Sequence, residues 1–305
     1  RMREFDWSTS PLGPVERWPQ SLRTSVSTML NCAFPIVLWW GPGLTLLYND
    51  EYAVILGPKH PSALGEPGQT VWGEIWDIVG PMLEQVMTRG EPTRSRDLKL
   101  QINRGYSEET YFSFSYSPVI DDDGHVGGIF CPVLETTGQV IGERRLRTLR
   151  DLAATCRGAD NEEAVYEAVT QVLAANPSDV PFALIYRVED DQSVARLRAT
   201  AGIKPGLISS PETVAFDQEE PARSLKAVFP SSVMVLPVLP PGREQPRAIL
   251  VTAVSPMRAL DDDYRTFFEL IATQVASGLA DAQAREEEHP RVEALAAIDR
   301  AKTIF

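Results

Sequence analysis

Apolar positions along residues 94–134 recur with a period of two, the spacing of a strand that hides one face. The clearest case is Thr110 to Ser117, where Phe112, Phe114 and Tyr116 alternate with Tyr111, Ser113, Ser115 and Ser117. Similar runs at Arg94 to Ile102 and Gly127 to Leu134 predict two more strands, the last pair joined by the turn Asp121-Asp122-Asp123-Gly124. Upstream, Phe34 to Trp40 and Leu44 to Tyr48 flank Gly41-Pro42-Gly43 and predict a hairpin. The pattern turns helical between these groups. Asn49-Asp50 caps a short helix to Leu56, Val71 to Val79 forms a second helical stretch, and Gly80-Pro81 restarts a helix that Gly90 closes. Before the hairpin, Pro19 opens a helix to about Asn31 with Leu22, Val26, Met29 and Leu30 near one face, a cap over the sheet.

The second half repeats the alternation of strand and helix patterns without clean polar faces. Val140 to Cys156 predicts a charged helix in which Leu146, Leu149, Ala153 and Cys156 follow 3-4-3 spacing. That seam fits a parallel two-stranded coiled coil, or a helix that packs on its own domain. Asn161 to Ala175 predicts another helix. Strands follow at Phe182 to Val188, Ala195 to Thr200, Val233 to Leu239 and Ala248 to Val254, with Gly202 to Glu220 loop-rich and Pro221 to Val228 a short helix. A long helix begins near Asp261, whose acidic cluster suits the positive helix end. Pro290 predicts a kink or break around Glu287–Pro290, because it lacks a donor and clashes with the preceding turn. The last stretch, Glu293 to Phe305, reads as an amphipathic helix without a stop signal, the expectation being a longer parent protein.

Composition narrows the class. At 305 residues, about two domains of ~150 residues are expected. A net charge of -13 argues against a broad nucleic-acid surface, which needs clustered cations. No apolar run approaches ~18 residues, so no membrane span is expected, and the first residues lack a signal-peptide core. Three separated cysteines, Cys32, Cys131 and Cys156, fit a reducing, cytoplasmic setting without a zinc site. The acidic runs Asp121–Asp123, Asp261–Asp263 and Glu286–Glu288 read as a turn, a helix start and a solvated face. Neither a phosphate loop nor a catalytic triad spacing is present, so catalysis by these residues is not expected.

Two strands, short helices, one longer helix and three strands follow the layout of a PAS domain. The words Y-N-D-E-Y (Tyr48 to Tyr52), S-P-V-I-D-D-D-G-H-V-G-G-I (Ser117 to Ile129), E-T-T (Glu135 to Thr137), D-W-S-T-S-P-L-G-P and W-P-Q-S-L-R resemble that family, in particular PAS domains at the front of bacterial sensor kinases. The order of elements in residues 159–284 resembles a GAF domain. The final residues resemble the run that leads into the phosphoacceptor helix of sensor histidine kinases, cut before the histidine. The resemblance implies an α+β chain of two tandem sensor domains, each an antiparallel sheet with flanking helices: a cap (1–33), a PAS-like domain (34–137), a connector helix (138–158), a GAF-like domain (159–284) and the start of an output helix (285–305).

What these resemblances imply is a sensory input region of a two-component kinase. It would be a homodimer passing the state of a small molecule or protein signal through paired helices. A response regulator or receiver domain would be reached through residues outside this chain, and ATP would bind only in the kinase core. Trp39, Tyr52, Trp72, Trp76, Phe114 and Tyr116 are the candidate ligand-enclosing residues of the first domain; the alternative is plain core packing. Leu146, Leu149, Ala153, Cys156, Leu279 and Leu295 are the candidate signalling-helix positions, with Ala282, Val292 and Phe305 beside them. Flavin, haem and bilin are not expected. Asn31-Cys32 precedes the first strand, His60 and His125 stand in a loop and a turn, and residues 161–288 hold neither histidine nor cysteine. A cyclic-nucleotide GAF signature survives only as Phe216-Asp217 with Glu219. Other open readings are a phosphatase or nucleotide-cyclase output, and a non-catalytic dimerisation and protein-binding scaffold.

Overall fold

The computed structural model describes residues 2, 4–189, 191, 193–204, 210–215 and 233–303, with side chains to 288. It is an α+β chain of two compact units, Arg1–Ile141 and Gly142–Phe305, each containing one five-stranded sheet. Among the described residues, no helix is long and apolar enough to cross a membrane.

In the first unit, helix α1 (Gln20–Leu30) precedes the hairpin β1 (Ile36–Trp40) and β2 (Thr45–Tyr48). Helices α2 (Asp50–Leu56), α3 (Gly68–Val71) and α4 (Trp76–Arg89) lead to β3 (Thr93–Asn103), β4 (Ser107–Ile120) and β5 (Val126–Glu135). The strand order is β2-β1-β5-β4-β3, with every pair antiparallel. Both faces of the hairpin are covered, so β1 and β2 are buried at every position. Trp7 and Trp18, ring centroids 5.0 Å apart, belong to the same core as the strands.

Asn49 is the junction of this unit. Its side-chain oxygen caps α2 by accepting from Tyr52 N at 3.1 Å, and it accepts from Ile36 N at 3.0 Å. Its amide nitrogen donates to the carbonyls of Met29, Cys32 and Phe34. One buried amide therefore ties the end of α1, the start of β1 and the first turn of α2 together.

Helix α4 differs from the expectation of a restart at Gly80-Pro81. It runs unbroken from Trp76 through Pro81 to Arg89. Gly80 explains the tolerance: the clash of a proline ring with the preceding Cβ is absent, and a Cβ there would stand 2.8 Å from the Trp76 indole nitrogen. Gly90 closes the helix in the left-handed conformation, φ 69°.

In the second unit, the later part of α5 (Thr137–Arg157), α6 (Glu162–Ala174) and α7 (Asp262–Thr303) surround one face of a sheet. Its strands are β6 (Ala183–Val188), β7 (Val194–Ala201), β8 (Thr213–Ala215), β9 (Val233–Val238) and β10 (Ala248–Ala253), in the order β8-β7-β6-β10-β9. Alternate residues serve two cores. Ala183, Ile185, Ala248 and Leu250 face the helices, while Leu184, Tyr186, Ile249 and Val251 form a cluster on the other face. Burial on both sides is why these strands lack a polar alternation. Strand β8 falls inside the stretch expected to be loop, and the expected helix Pro221 to Val228 lies outside the described residues.

The expected break at Pro290 is not found, for α7 continues through it to Thr303. A proline removes a single backbone donor from the ladder, and in a helix of 42 residues that local loss leaves the remaining turns intact.

Candidate functional site

Five of the six aromatic residues singled out in the first domain line one internal cavity of about 40 Å³: Trp39, Tyr52, Trp72, Phe114 and Tyr116. Period two places them. In β4, Phe112, Phe114 and Tyr116 turn inward, as do Val37 and Trp39 from β1 and Cys131 and Val133 from β5. Tyr52 arrives on α2, and Trp72 on the turn after α3. Trp76 is the exception. It starts α4 half-buried, 6.3 Å from Trp39 between ring centroids, and stands outside the cavity lining because its indole packs over Gly80.

Close backbone approach sets the position of Trp39. A Cβ on Gly68 would lie 2.3 Å from the Trp39 ring, so α3 can pass there only without a side chain. On the opposite face of β1, Trp40 lies over Gly127 and Gly128, where a Cβ on Gly128 would meet its ring at 2.5 Å. Trp72 is covered by a cation: Lys59 Nζ sits 4.1 Å from its ring centroid, donates to Val71 O at 2.9 Å and pairs with Glu74.

The cavity is electrically neutral. Burial raises the pKa of Tyr52, Tyr116 and Cys131 well above their ordinary values, and the Cys131 thiol reinforces the shift of both phenols. The Trp39 and Trp72 indole nitrogens are buried with no hydrogen-bond partner among the described residues. Trp72 stands close enough to the Tyr52 hydroxyl to pull its pKa down against the larger effect of burial, but its N–H makes no hydrogen bond of normal geometry.

The serine face of β4 does not line this cavity. Ser113 Oγ accepts from Asp97 N at 3.0 Å and lies 3.2 Å from Asp97 Oδ1, while Ser115 Oγ donates to Thr93 O at 2.9 Å. These bonds hold an irregularity in β3, where Asp97 has φ 48° and the register shifts between Ser95 and Leu98. His60 bonds the Tyr48 hydroxyl through Nδ1 at 3.0 Å and is not among the cavity residues. His125 lies in the Asp121 turn. Among the described residues there is no group of three or more His, Cys, Asp or Glu placed to hold a metal ion.

The wall of the cavity is stitched to the start of α5. Next to Phe112, Tyr111 accepts Thr136 N at 2.8 Å, and its own N–H donates to Thr137 Oγ1 at 3.0 Å. Thr137 Oγ1 also donates to Glu135 at 2.9 Å. Glu135 in turn receives both terminal nitrogens of Arg104, whose Nε donates to Ile55 O on α2 at 3.1 Å. Strand, helix α2 and the head of α5 thus share one hydrogen-bonded network. Arg104 was missed from the sequence because it sits in the Asn103–Tyr106 turn, outside any periodic run. Cys131 was legible as the inward position between Ile129 and Val133.

The candidate signalling positions are scattered rather than aligned. Leu146 is 68% exposed, Leu149 and Ala153 are half-buried, and Cys156 is buried in the core of its own unit. Within its own unit the buried positions of α5 are Arg145, Thr148, Leu152 and Cys156. Cys156 turns inward because Gly278 of α7 leaves room for it: a Cβ at that glycine would come within 2.8 Å of Cys156 Cβ. Burial raises its pKa to about 11. Leu279 and Ala282 are likewise buried in that core. The side chains of Val292, Leu295 and Phe305, and the fragment Phe216-Asp217 with Glu219, lie outside the described residues. An unpredicted buried cluster anchors the same helix. Asp179 accepts from Arg144 Nε at 2.6 Å, Arg145 Nε at 3.2 Å and Asn176 Nδ2 at 3.1 Å, and its carbonyl accepts from the Tyr264 hydroxyl.

No family model matches the chain, and no curated protein is significantly similar to it. Among solved structures it is similar to the GAF domain of an Acinetobacter phosphoenolpyruvate-protein phosphotransferase, with 17% identity, TM-score 0.36 and coverage of 46% of this chain and 94% of that one. The GAF domain of a phosphoenolpyruvate-protein phosphotransferase from Coxiella burnetii is similar at 17% identity and TM-score 0.36, covering 48% and 98%. The Stigmatella aurantiaca phytochrome photosensory core module is similar at 19% identity and TM-score 0.36, over 88% of this chain and 62% of that longer one.

Proposed function

We propose that this chain is a sensory input region, with a PAS-type first unit that holds a small ligand and a GAF-type second unit. The strand order β2-β1-β5-β4-β3 with helices inserted between β2 and β3 supports the first assignment. A sheet flanked by an entry helix and a long exit helix supports the second. The observation that carries the reading is the continuity of β4: its inward residues line the cavity, and its Tyr111 is bonded to the first turn of α5. A ligand that favours one arrangement of β4 would bias the head of that helix by its differential affinity for the two states.

The finer form of the proposal puts this region in front of a histidine-kinase core in a homodimer. ATP and a response regulator or receiver domain would engage that core. A thermal-shift screen of metabolites tests the ligand step. At least one compound should raise the melting temperature by several degrees, as occupancy well above the dissociation constant requires. Trp72→Ala should abolish that shift, and the bound compound should change hydrogen exchange at 136–141. A screen without hits, on protein that carries no co-purified compound, would remove the ligand claim.

The scaffold reading has one observation in its favour. A groove of about 310 Å³ on the outer side of β3, β4 and β5 carries Phe34, 65% exposed, and Leu134, 54% exposed, beside Arg94 and Arg96. Native mass spectrometry of the wild type and Phe34→Ser separates the two: assembly lost in the variant, with no metabolite bound to either, favours the scaffold.

A further inference from the structure

We propose that the first-unit cavity selects small uncharged carbonyl compounds, held through oxygen by its indole and phenol donors. The inference rests on the reading of this cavity as a ligand site and adds the chemistry that the site requires.

The side chains lining it include neither an ammonium, a guanidinium, a carboxylate nor an amide. Its polar side-chain atoms are the indole nitrogens of Trp39 and Trp72, the hydroxyls of Tyr52 and Tyr116, and the thiol of Cys131. An indole N–H donates and cannot accept, and phenol and thiol groups can all donate. Both indole nitrogens are buried without an acceptor among the described residues, and each residue is only 2% exposed. The phenol oxygens and the thiol carry lone pairs, but neither indole donor reaches one in hydrogen-bond geometry, so a guest that supplies an acceptor oxygen satisfies donors that the described residues leave unpaired.

Charge and size narrow the guest further. An anion would find no cation in the lining itself, since Lys59 lies against Trp72 paired with Glu74 and Arg104 is paired with Glu135, which makes burial of its charge unfavourable. An ammonium would set donors against donors and bury a charge with no carboxylate in the lining to meet it. A volume of about 40 Å³ matches roughly three water molecules at ~10–15 Å³ each, so the guest is an organic molecule of only a few heavy atoms. Apolar walls from Val37, Ile55, Ile75 and Leu100 suit the carbon skeleton, leaving the oxygen for the donors.

Two probes of one shape test this: 2-butanone, and 2-methyl-1-butene, in which a methylene group replaces the oxygen. They are titrated into the 305-residue chain with nitrogen-15 in its tryptophan side chains. The expected result is a saturable downfield shift of the Trp39 or Trp72 indole proton with 2-butanone, and binding about tenfold weaker for the alkene. Trp72→Phe, which keeps a ring and removes the N–H, should weaken 2-butanone about fivefold or more and leave the alkene unchanged. Should that variant fail to fold, Tyr116→Phe serves for the same comparison. Equal or tighter binding of the alkene would overturn the carbonyl selectivity while leaving a ligand cavity in place. Saturable binding of neither probe would mean that water alone occupies the space, overturning this inference and the ligand reading together.

Discussion

Arg104 and Glu135 meet fork to fork, Nη1 to Oε1 at 3.2 Å and Nη2 to Oε2 at 2.8 Å. Two parallel charge-assisted bonds fix orientation as well as distance. Because Glu135 also holds Thr137, the pair sets the first turn of α5 relative to β4. Arg104→Ala should cost about 1.5–3 kcal/mol in urea unfolding. It should also speed hydrogen exchange at Thr136 and Val140. Arg104→Lys, which retains the charge and loses the fork, should recover only part of the protection. Unchanged exchange in both variants would show that the head of the helix does not depend on this pair.

Asp179 makes the sharpest stability prediction in the second unit. Its side chain is fully buried, and Arg145, 11% exposed at its side chain, stacks 4.2 Å from the Tyr264 ring. Asp179→Ala leaves a buried guanidinium without a counter-charge, a loss of about 3–5 kcal/mol. The double variant Asp179→Ala with Arg145→Met should regain a substantial part of it. Measured melting curves that place the double variant below the single one would refute the pairing argument.

Gly68 has no room for a methyl group beside the Trp39 ring. Gly68→Ala should destabilise the first unit by about 1–3 kcal/mol through overpacking. Displacement of Trp39 should change the near-ultraviolet circular dichroism. Gly73→Ala, where an added Cβ meets nothing within 4 Å, is the control and should leave both signals near wild type.

Cys156 predicts alkaline instability. Its pKa is raised from 9.0 to about 11 in the folded chain by burial. The unfolded chain therefore releases this proton first as pH rises, and the folded state binds more protons between about 9 and 11. The stabilisation is complete below pH 9 and is lost as pH passes through that window, by about 2–3 kcal/mol at most. Cys156→Ala should flatten the decline relative to wild type, although Cys131, Tyr52, Tyr116 and Tyr264, also raised by burial, leave a residual slope. Equal slopes in the two proteins would contradict the assignment. In the folded protein at pH 8, this thiol should react with a disulfide reagent more slowly than half-buried Cys32.

The strands and most helix limits were legible because period, caps and turn residues act over a few neighbours. Phe112, Phe114 and Tyr116 alternate so strictly that their inward face was readable without coordinates, and Asn49 announced the start of α2. Local signals failed where a distant partner decided. The prolines at 81 and 290 predicted interruptions, yet both helices continue through them. The spacing of Leu146, Leu149, Ala153 and Cys156 left open a seam or packing on the helix's own domain, and the partner that Cys156 faces, Gly278, lies more than a hundred positions away.

What the chain determined by itself was the kind of most of the described elements, β8 excepted, and the set of aromatic side chains that would lie inward, since both depend on short-range spacing and on keeping apolar surface from water. The tertiary structure alone decided that five of those aromatics close around one neutral space, that Trp76 stands outside it, and that Arg104, Glu135 and Thr137 join its wall to a helix. These outcomes depend on which distant backbones approach closely enough to touch. That is set by strand register and by glycines such as Gly68, Gly128 and Gly278, whose missing side chains acquire meaning only when a partner lies against them.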